Sequence, residues 1–293
     1  MLLAATLLIH APPAPARAAD APRRILALLT DYGTRDFYVA TLRGAILSVD
    51  PQARVIDLTH EVPPFDIREG AFLLAESSRE FPPGTVFVAI VDPGVGTTRK
   101  PVAIRVRDGS LFVGPDNGLL VDAARMRGIV ETREIASPAF MRRGARSSTF
   151  HGRDLFGPAG AHLARGDDFA GVGPVREAFV ELTHHAPWAQ RGRASGEVLH
   201  VDRYGNLITN LTEKEARAAG LVRGGQVRAT VGKTIFEVPY AGTYGDVARR
   251  ERVLVTGSTG RLELAINEGD LGRAIGARAG EPVSIEAART APD

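Results

Sequence analysis

The chain contains no cysteine, which excludes thiol nucleophiles, disulfides and thiolate-bound metals while leaving the redox compartment open. Lysine is scarce, confined to Lys100, Lys214 and Lys233, so arginine carries nearly all the positive charge. The formal net charge is only +2, and no basic stripe is interleaved with aromatics, so nucleic acid is not an expected partner. The apolar run Leu2–Ile9 is too short to cross a bilayer, and no membrane span is expected. No G-x-G-x-x-G follows the first strand-like segment, and no phosphate-loop or G-x-S-x-G spacing occurs anywhere. His60 and the pair His184-His185 lack helical metal-ligand spacing and read as structural or solvated.

What is present is an ordinary globular composition. With 293 residues, 44% hydrophobic and 24% charged, the chain has room for two domains or one large one. Residues 1–22 stand apart as a leader. The apolar run there is followed by an Ala/Pro-rich stretch and by Ala16-Arg17-Ala18, which resembles a signal-peptidase site. Export to the periplasm through this segment is expected. A cytoplasmic location is the alternative, because no Lys or Arg precedes the run.

Residues 23–185 read as an α/β domain. Ile25–Thr30, Arg54–Leu58, Thr85–Val91, Val102–Val106 and Leu111–Val113 are strand-like. Tyr38–Val49, Ile67–Ser77 (with Asp66 as N-cap), Leu119–Met126 and Arg153–Leu163 have helical spacing. Alternation of this kind predicts a mainly parallel sheet with helices on both faces. Such sheets bind ligands beyond the carboxyl ends of their strands. Asp31, Asp92 and Asp116 each follow a strand and are expected to gather there. Residues 186–195 read as a linker. Residues 196–293 carry short alternating runs separated by Gly-rich turns, which predicts a small antiparallel β-barrel domain.

Several motifs bear chemistry, each with a plain structural alternative. In Thr30-Asp31-Tyr32-Gly33-Thr34-Arg35-Asp36, a carboxylate beside glycine can accept hydrogen bonds from vicinal ribose hydroxyls, or simply cap the next helix. In Asp92-Pro93-Gly94-Val95-Gly96-Thr97-Thr98-Arg99, a carboxylate and a guanidinium flank a tight loop, as partners in chemistry or in a salt bridge. Thr149-Phe150-His151-Gly152-Arg153-Asp154 places a histidine at a loop-to-helix junction, facing a cleft or bonded to backbone. Asp202-Arg203-Tyr204-Gly205-Asn206 and Gly257-Ser258-Thr259-Gly260 read as hairpin turns with polar tips, and Asn267 follows the latter hairpin.

Taken in order, T-D-Y-G-T-x-D, D-P-G-V-G-T-x-R, P-D-N-G-L-L, T-F-H-G-R-D and D-x-Y-G-N resemble the SAM hydroxide adenosyltransferase family, relatives of the SAM-dependent halogenases. The similarity runs from about Leu28 to Glu286 and includes both domains. Asp92, Arg99 and His151 fall where hydrolytic members carry their catalytic triad. The short connection Arg107-Asp108-Gly109-Ser110 lacks the long insertion of the halogenases. The resemblance implies hydrolysis of S-adenosylmethionine (SAM) to adenosine and methionine, with no cofactor and no metal. It implies homotrimers with sites between subunits. It also implies substrate contacts from Asp31, Asp36, Phe65, Thr149 and Phe150, methionine-side contacts from Asp202, Asn206 and Ser258, and adenine near Asn267. Thr259 stands where the halogenases have an arginine that binds the methionine carboxylate. Two other classes compete: a metal-dependent nucleotide phosphohydrolase with Asp31, Asp36, Asp92 and His151 as ligands, and a non-catalytic SAM- or nucleoside-binding protein.

Overall fold

A computed structural model describes residues 23–144 and 146–288; the leader expected over residues 1–22 lies outside them. The first half runs β1 (Ile25–Thr30), α1 (Tyr38–Val49), β2 (Arg54–Thr59), α2 (Ile67–Ser78), β3 (Val86–Ile90), β4 (Pro101–Val106), β5 (Leu111–Pro115), α3 (Val121–Met126) and β6 (Ile129–Glu134). A π-helical turn over Gly152–Phe156 then leads into α4 (Gly157–Ala164). The strands form one sheet in the order β2-β1-β3-β5-β4-β6.

β1 is apolar from Ile25 to Leu29, and all but its first residue are buried, as a strand covered on both faces requires. Its side chains alternate between two cores. Leu26 and Leu28 share a cluster with Leu42, Ile46, Phe156 and Leu163, from α1 and the segment leading into α4. Ala27 and Leu29 share another with Ala71, Leu74 and Ala123, from α2 and α3. The sheet is therefore covered by helices on both sides. Asp66 caps α2 as expected, accepting from the Glu69 N–H at 3.0 Å.

The sheet is mixed. β1 pairs parallel with β2 and β3, and β3 pairs parallel with β5. β4 is antiparallel to both of its neighbours. The reason is the connection: a parallel crossover needs about a dozen residues or more, and β4 reaches β5 through Arg107–Ser110 alone. β6 was not anticipated, because four of the six residues of IVETRE are polar and the strand lies at the sheet's edge, paired with β4 and bridged on its other side through Arg133 and Val175.

The second half runs β7 (Trp188–Gln190), β8 (Arg193–Val201), β9 (Leu207–Thr212), α5 (Glu213–Ala218), β10 (Gln226–Val231), β11 (Thr234–Pro239), β12 (Arg252–Thr256), β13 (Arg261–Ile266), α6 (Leu271–Ile275) and β14 (Pro282–Ala287). The antiparallel order is β11-β10-β14-β8-β9-β13-β12, with β7 pairing β8. A bridge between Tyr240 and Leu254 brings the β11 and β12 ends together, so the barrel is nearly closed. The stretch expected as a linker thus carries a short paired strand. Polar contacts join the halves: His200 on β8 bonds Glu69 on α2, and Arg261 on β13 donates to Glu76 at 3.2 Å.

Candidate active site

The carboxyl ends of β1 and β3 open onto a pocket of about 350 Å³ whose lining includes Asp31, Tyr32, Phe65, Asp92, Phe150 and His151. That volume lies within the range of small-molecule sites. Each wall has a local cause. Asp31 leaves the end of β1, and its Oδ2 accepts the Phe65 N–H at 3.0 Å. Phe65 occupies the left-handed region with φ 69°, a conformation costing a non-glycine residue about 1–3 kcal/mol. The bond from Asp31 helps hold it there, and the phenyl ring remains 71% exposed at the pocket rim. Burial raises the Asp31 carboxyl above its ordinary range. The Phe65 N–H opposes that rise, and the Asp92 carboxylate adds to it.

Asp92 follows β3 by two residues. The chain then makes successive tight turns, with the Val95 N–H donating to Asp92 O at 3.2 Å and the Thr97 N–H to Gly94 O at 3.1 Å. Gly96 has φ 77°, and any side chain there would strike Ser148 O. Glycine thus lets this loop lie directly against the segment that carries His151. The turns return Arg99 to Asp92: Nε donates to Oδ1 at 2.8 Å and Nη2 bonds Oδ2. Nη2 also donates to His151 Nδ1 at 2.8 Å. Three side chains from three chain positions therefore form one hydrogen-bonded knot, with the Asp92 and Arg99 side chains only 7% and 10% exposed. The salt-bridge alternative for Asp92 and Arg99 is also correct, since the ion pair is the scaffold of the knot.

Burial lowers the His151 imidazole below the usual histidine value. The Arg99 guanidinium depresses it further, while Asp92 and Asp154 pull the other way. The acidic end of its motif is structural. Asp154 is buried, accepts the Ser147 N–H at 2.7 Å and pairs with Arg142 and Arg153. Burial alone would raise its carboxyl, but Arg153, the Ser147 N–H and Arg142 outweigh it and hold it at about 2.

The other expected residues divide. Thr149 and Phe150 line the same pocket. Asp36 is exposed and does not line it. Asp116 lies at the same sheet edge but does not join Asp31 and Asp92: its Oδ1 accepts the Val180 N–H at 2.8 Å and its Oδ2 faces Arg176. That expected gathering of three carboxylates is corrected to two. Among the described residues no group of three or more His, Asp or Glu side chains is placed to hold a metal ion.

Asp202, Asn206, Ser258 and Asn267 lie on the barrel and do not line the pocket of their own chain. Asp202 closes its hairpin by accepting from the Tyr204 and Asn206 N–H groups, both at 2.9 Å. Asn267 donates to Val247 O at 2.9 Å. Ser258 is exposed on the turn between β12 and β13. The two turns converge on Glu263, a buried carboxylate that accepts the Tyr244 hydroxyl at 2.6 Å. Burial and the nearby Asp202 raise the Glu263 carboxyl. A side chain at Gly257 would overlap its Oε1.

Sequence reasoning missed Tyr32, Glu263 and Tyr244. The Tyr32 ring packs edge-on to Phe150, with centroids 5.8 Å apart, and burial and the two aspartates push its hydroxyl upward, so it stays protonated. Position beside Asp31 in the first motif was the only signal for it.

An α/β sheet joined to a barrel, with a partly buried Asp–Arg–His knot at the edge of a small-molecule pocket, defines the class of protein. Residues 26–173 match the SAM hydroxide adenosyltransferase N-terminal domain and residues 196–284 the C-terminal domain of the same family. The chain belongs to the SAM hydroxide adenosyltransferase family. It is 39% identical to a protein of Thermus thermophilus named (R)-S-adenosyl-L-methionine hydrolase, over 89% of this chain and 99% of that one. A protein of the same name from Salinispora tropica is 38% identical, over 91% of this chain and 99% of that one. The crystal structure of an uncharacterized conserved protein from Thermotoga maritima superposes with a TM-score of 0.85 at 36% identity, covering 89% of this chain and all of that one.

Proposed function

We propose that the chain hydrolyses S-adenosyl-L-methionine to adenosine and L-methionine, by in-line attack of water on ribose C5′. The observation that carries this reading is the Asp92–Arg99–His151 knot set beside Asp31 in one pocket; the names of the two relatives support it. In the step, a bond forms from the water oxygen to C5′ and the C5′–S bond breaks. Its electron pair stays on sulfur, so methionine leaves as a neutral thioether and needs no general acid. The site must instead supply a proton acceptor for the attacking water, since free water has a pKa of about 15.7.

Arginine has only donors, so the Arg99–His151 bond makes His151 Nδ1 the acceptor. The neutral imidazole then carries its proton on Nε2 and donates. His151 therefore orients the water, while Asp92 receives its proton, with Arg99 stabilising the charge that develops. Base assistance of this kind contributes roughly 10²–10⁴-fold, and in-line placement of the water about 7–11 kcal/mol. Asp31 accepts the ribose hydroxyls. The reaction as proposed uses no metal and no cofactor.

The direct test is chromatography of SAM incubated with purified protein, before and after dialysis against a chelator. Equal release of adenosine and methionine in both samples is the expected result. Activity lost to the chelator and restored by a divalent cation would favour the phosphohydrolase reading. Binding with no release would favour a non-catalytic protein.

Protonating His151 would set an N–H against the Arg99 N–H and break the knot. Because its folded-state pKa is lowered, activity should persist through about pH 6.5, the ordinary histidine value, and fall only in more acid solution. An acid limb of kcat centred at or above that value would contradict the assignment.

The barrel turns carrying Asp202, Asn206 and Ser258 do not line their own chain's pocket, which supports a site shared between subunits of a homotrimer. Mixing inactive Asp92→Ala with inactive Asp202→Ala chains, after dissociation and reassociation, should then restore activity. Random exchange would leave about a quarter of sites with both halves intact. No recovery on mixing would place the whole site within one chain.

A further inference from the structure

Glu197 lies on β8, in the wall of a cavity of about 450 Å³ between the two halves of the molecule, which shares no lining residue with the Asp92 pocket. It is 2% exposed, and neither carboxylate oxygen has a hydrogen-bond partner among the described residues. A buried carboxylate left unpartnered is costly, so its surroundings bear on what meets it. Two groups stand near Oε1 and neither is in bonding range. Arg68 Nη1 is 4.0 Å away, its Nη2 being used by Thr183 O at 2.6 Å. His184 Nδ1 is 3.9 Å away, its Nε2 standing 2.7 Å from Asp122 Oδ2. A carboxylate only accepts, so His184 donates to Asp122 through Nε2.

This pole of the cavity therefore presents two buried acceptors without a partner, both Glu197 oxygens, with one donor near them, Arg68 Nη1. The remainder of the wall includes the apolar side chains of Phe72, Met126 and Leu199. An ammonium donates well to a carboxylate, a carboxylate accepts well from a guanidinium, and an unbranched apolar side chain suits the remaining wall.

We propose that the cavity between the halves is a second ligand site, which takes an α-amino acid with an apolar side chain through Glu197, His184 and Arg68. The volume is ample for such a ligand. L-methionine belongs to this class, and on the proposed function it is the reaction's own product, so the site would sense product without touching the catalytic pocket. That last point rests on the hydrolase reading; the ligand class does not.

The experiment is calorimetric titration of the full chain with L-methionine, L-norleucine and N-acetyl-L-methionine, alongside the initial rate of SAM hydrolysis. Wild type should bind the first two and not the third, which lacks the ammonium. Glu197→Gln keeps the shape of the side chain and removes its charge, and should weaken L-methionine binding at least about tenfold with the initial rate unchanged. Arg68→Met, at a half-exposed position, should weaken binding in the same direction. Equal L-methionine affinity in wild type and both variants would assign any binding to the catalytic pocket and overturn the site. No binding of either free amino acid to wild type would also overturn it. Norleucine binding that is lost in Glu197→Gln, in a wild type that releases no adenosine from SAM, would sustain this site and sink the hydrolase reading instead.

Discussion

Replacing Arg99 by methionine should abolish measurable turnover while leaving SAM affinity nearly intact. Arg99 does not line the pocket; it lies behind it, holding Asp92 through two nitrogens and His151 through one of them. Methionine fills similar volume without a donor. Asp92 would then be a nearly buried carboxylate with its counterion removed, a change that costs roughly 3–5 kcal/mol when one partner of a buried pair is deleted. Without those two hydrogen bonds the carboxylate would no longer be held in place to receive the proton of the attacking water. His151 would lose the donor that fixes its tautomer. Both effects fall on the attacking oxygen, so a loss of about 10³-fold or more in kcat is expected, with little change in SAM binding measured by calorimetry. Arg99→Lys should fare little better, because a single ammonium cannot reproduce the planar fork. If Arg99→Met kept more than about a tenth of wild-type kcat, the knot would have no place in the chemistry.

The second large effect is expected from the smallest change, Gly152→Ala. Gly152 follows His151 directly and is buried, and an added Cβ would overlap the Tyr32 hydroxyl and press on Ile90. Tyr32 cannot simply swing aside, because its ring is packed against Tyr38 and Phe150. The strain must pass to the backbone at His151, and a displacement of about 1 Å at a catalytic group can cost on the order of 10²-fold in rate. The double variant Tyr32→Phe/Gly152→Ala removes the oxygen in the way and should recover much of that loss. Tyr32→Phe alone deletes at most one neutral hydrogen bond, about 0.5–1.5 kcal/mol, and should lower kcat by less than about tenfold. A double variant no better than Gly152→Ala would show that the damage does not pass through Tyr32.

Much of the architecture could be read from the chain. Buried parallel strands are continuous apolar runs, so β1 and β3 were plain, and Asp66 marked the start of α2. The edge strand β6 was missed because IVETRE has no continuous apolar face. α5 was missed although Thr212 and Glu215 spell a capping box, which the fold forms; strand-like alternation on either side obscured it. At the site, Asp31, Asp92 and His151 were legible because each sits at an element boundary beside glycine. Asp116 carried the same local signal and yet turns toward Val180 and Arg176, a choice made by a segment 60 to 64 positions downstream. Tyr32 and Glu263 were not legible, since only tertiary packing distinguishes them from any tyrosine or strand glutamate.

The turn from Gly152 to Phe156 is wound as a π-helix, with the Gly157 N–H reaching back five residues to Gly152 O. Such a widened turn holds one residue more than ordinary helical winding. Excising a single codon from this stretch would let the segment rewind as regular helix with its two flanks nearly in phase, because the wide turn and the ordinary one each advance the chain by about one full turn. The buried face of α4 would stay seated on the sheet and His151 would keep its side of the helix, so the change would fall on the side chains of the turn itself. A change of one residue in the length of this turn is therefore absorbed where it occurs, and the helix on one side and the histidine on the other keep their places.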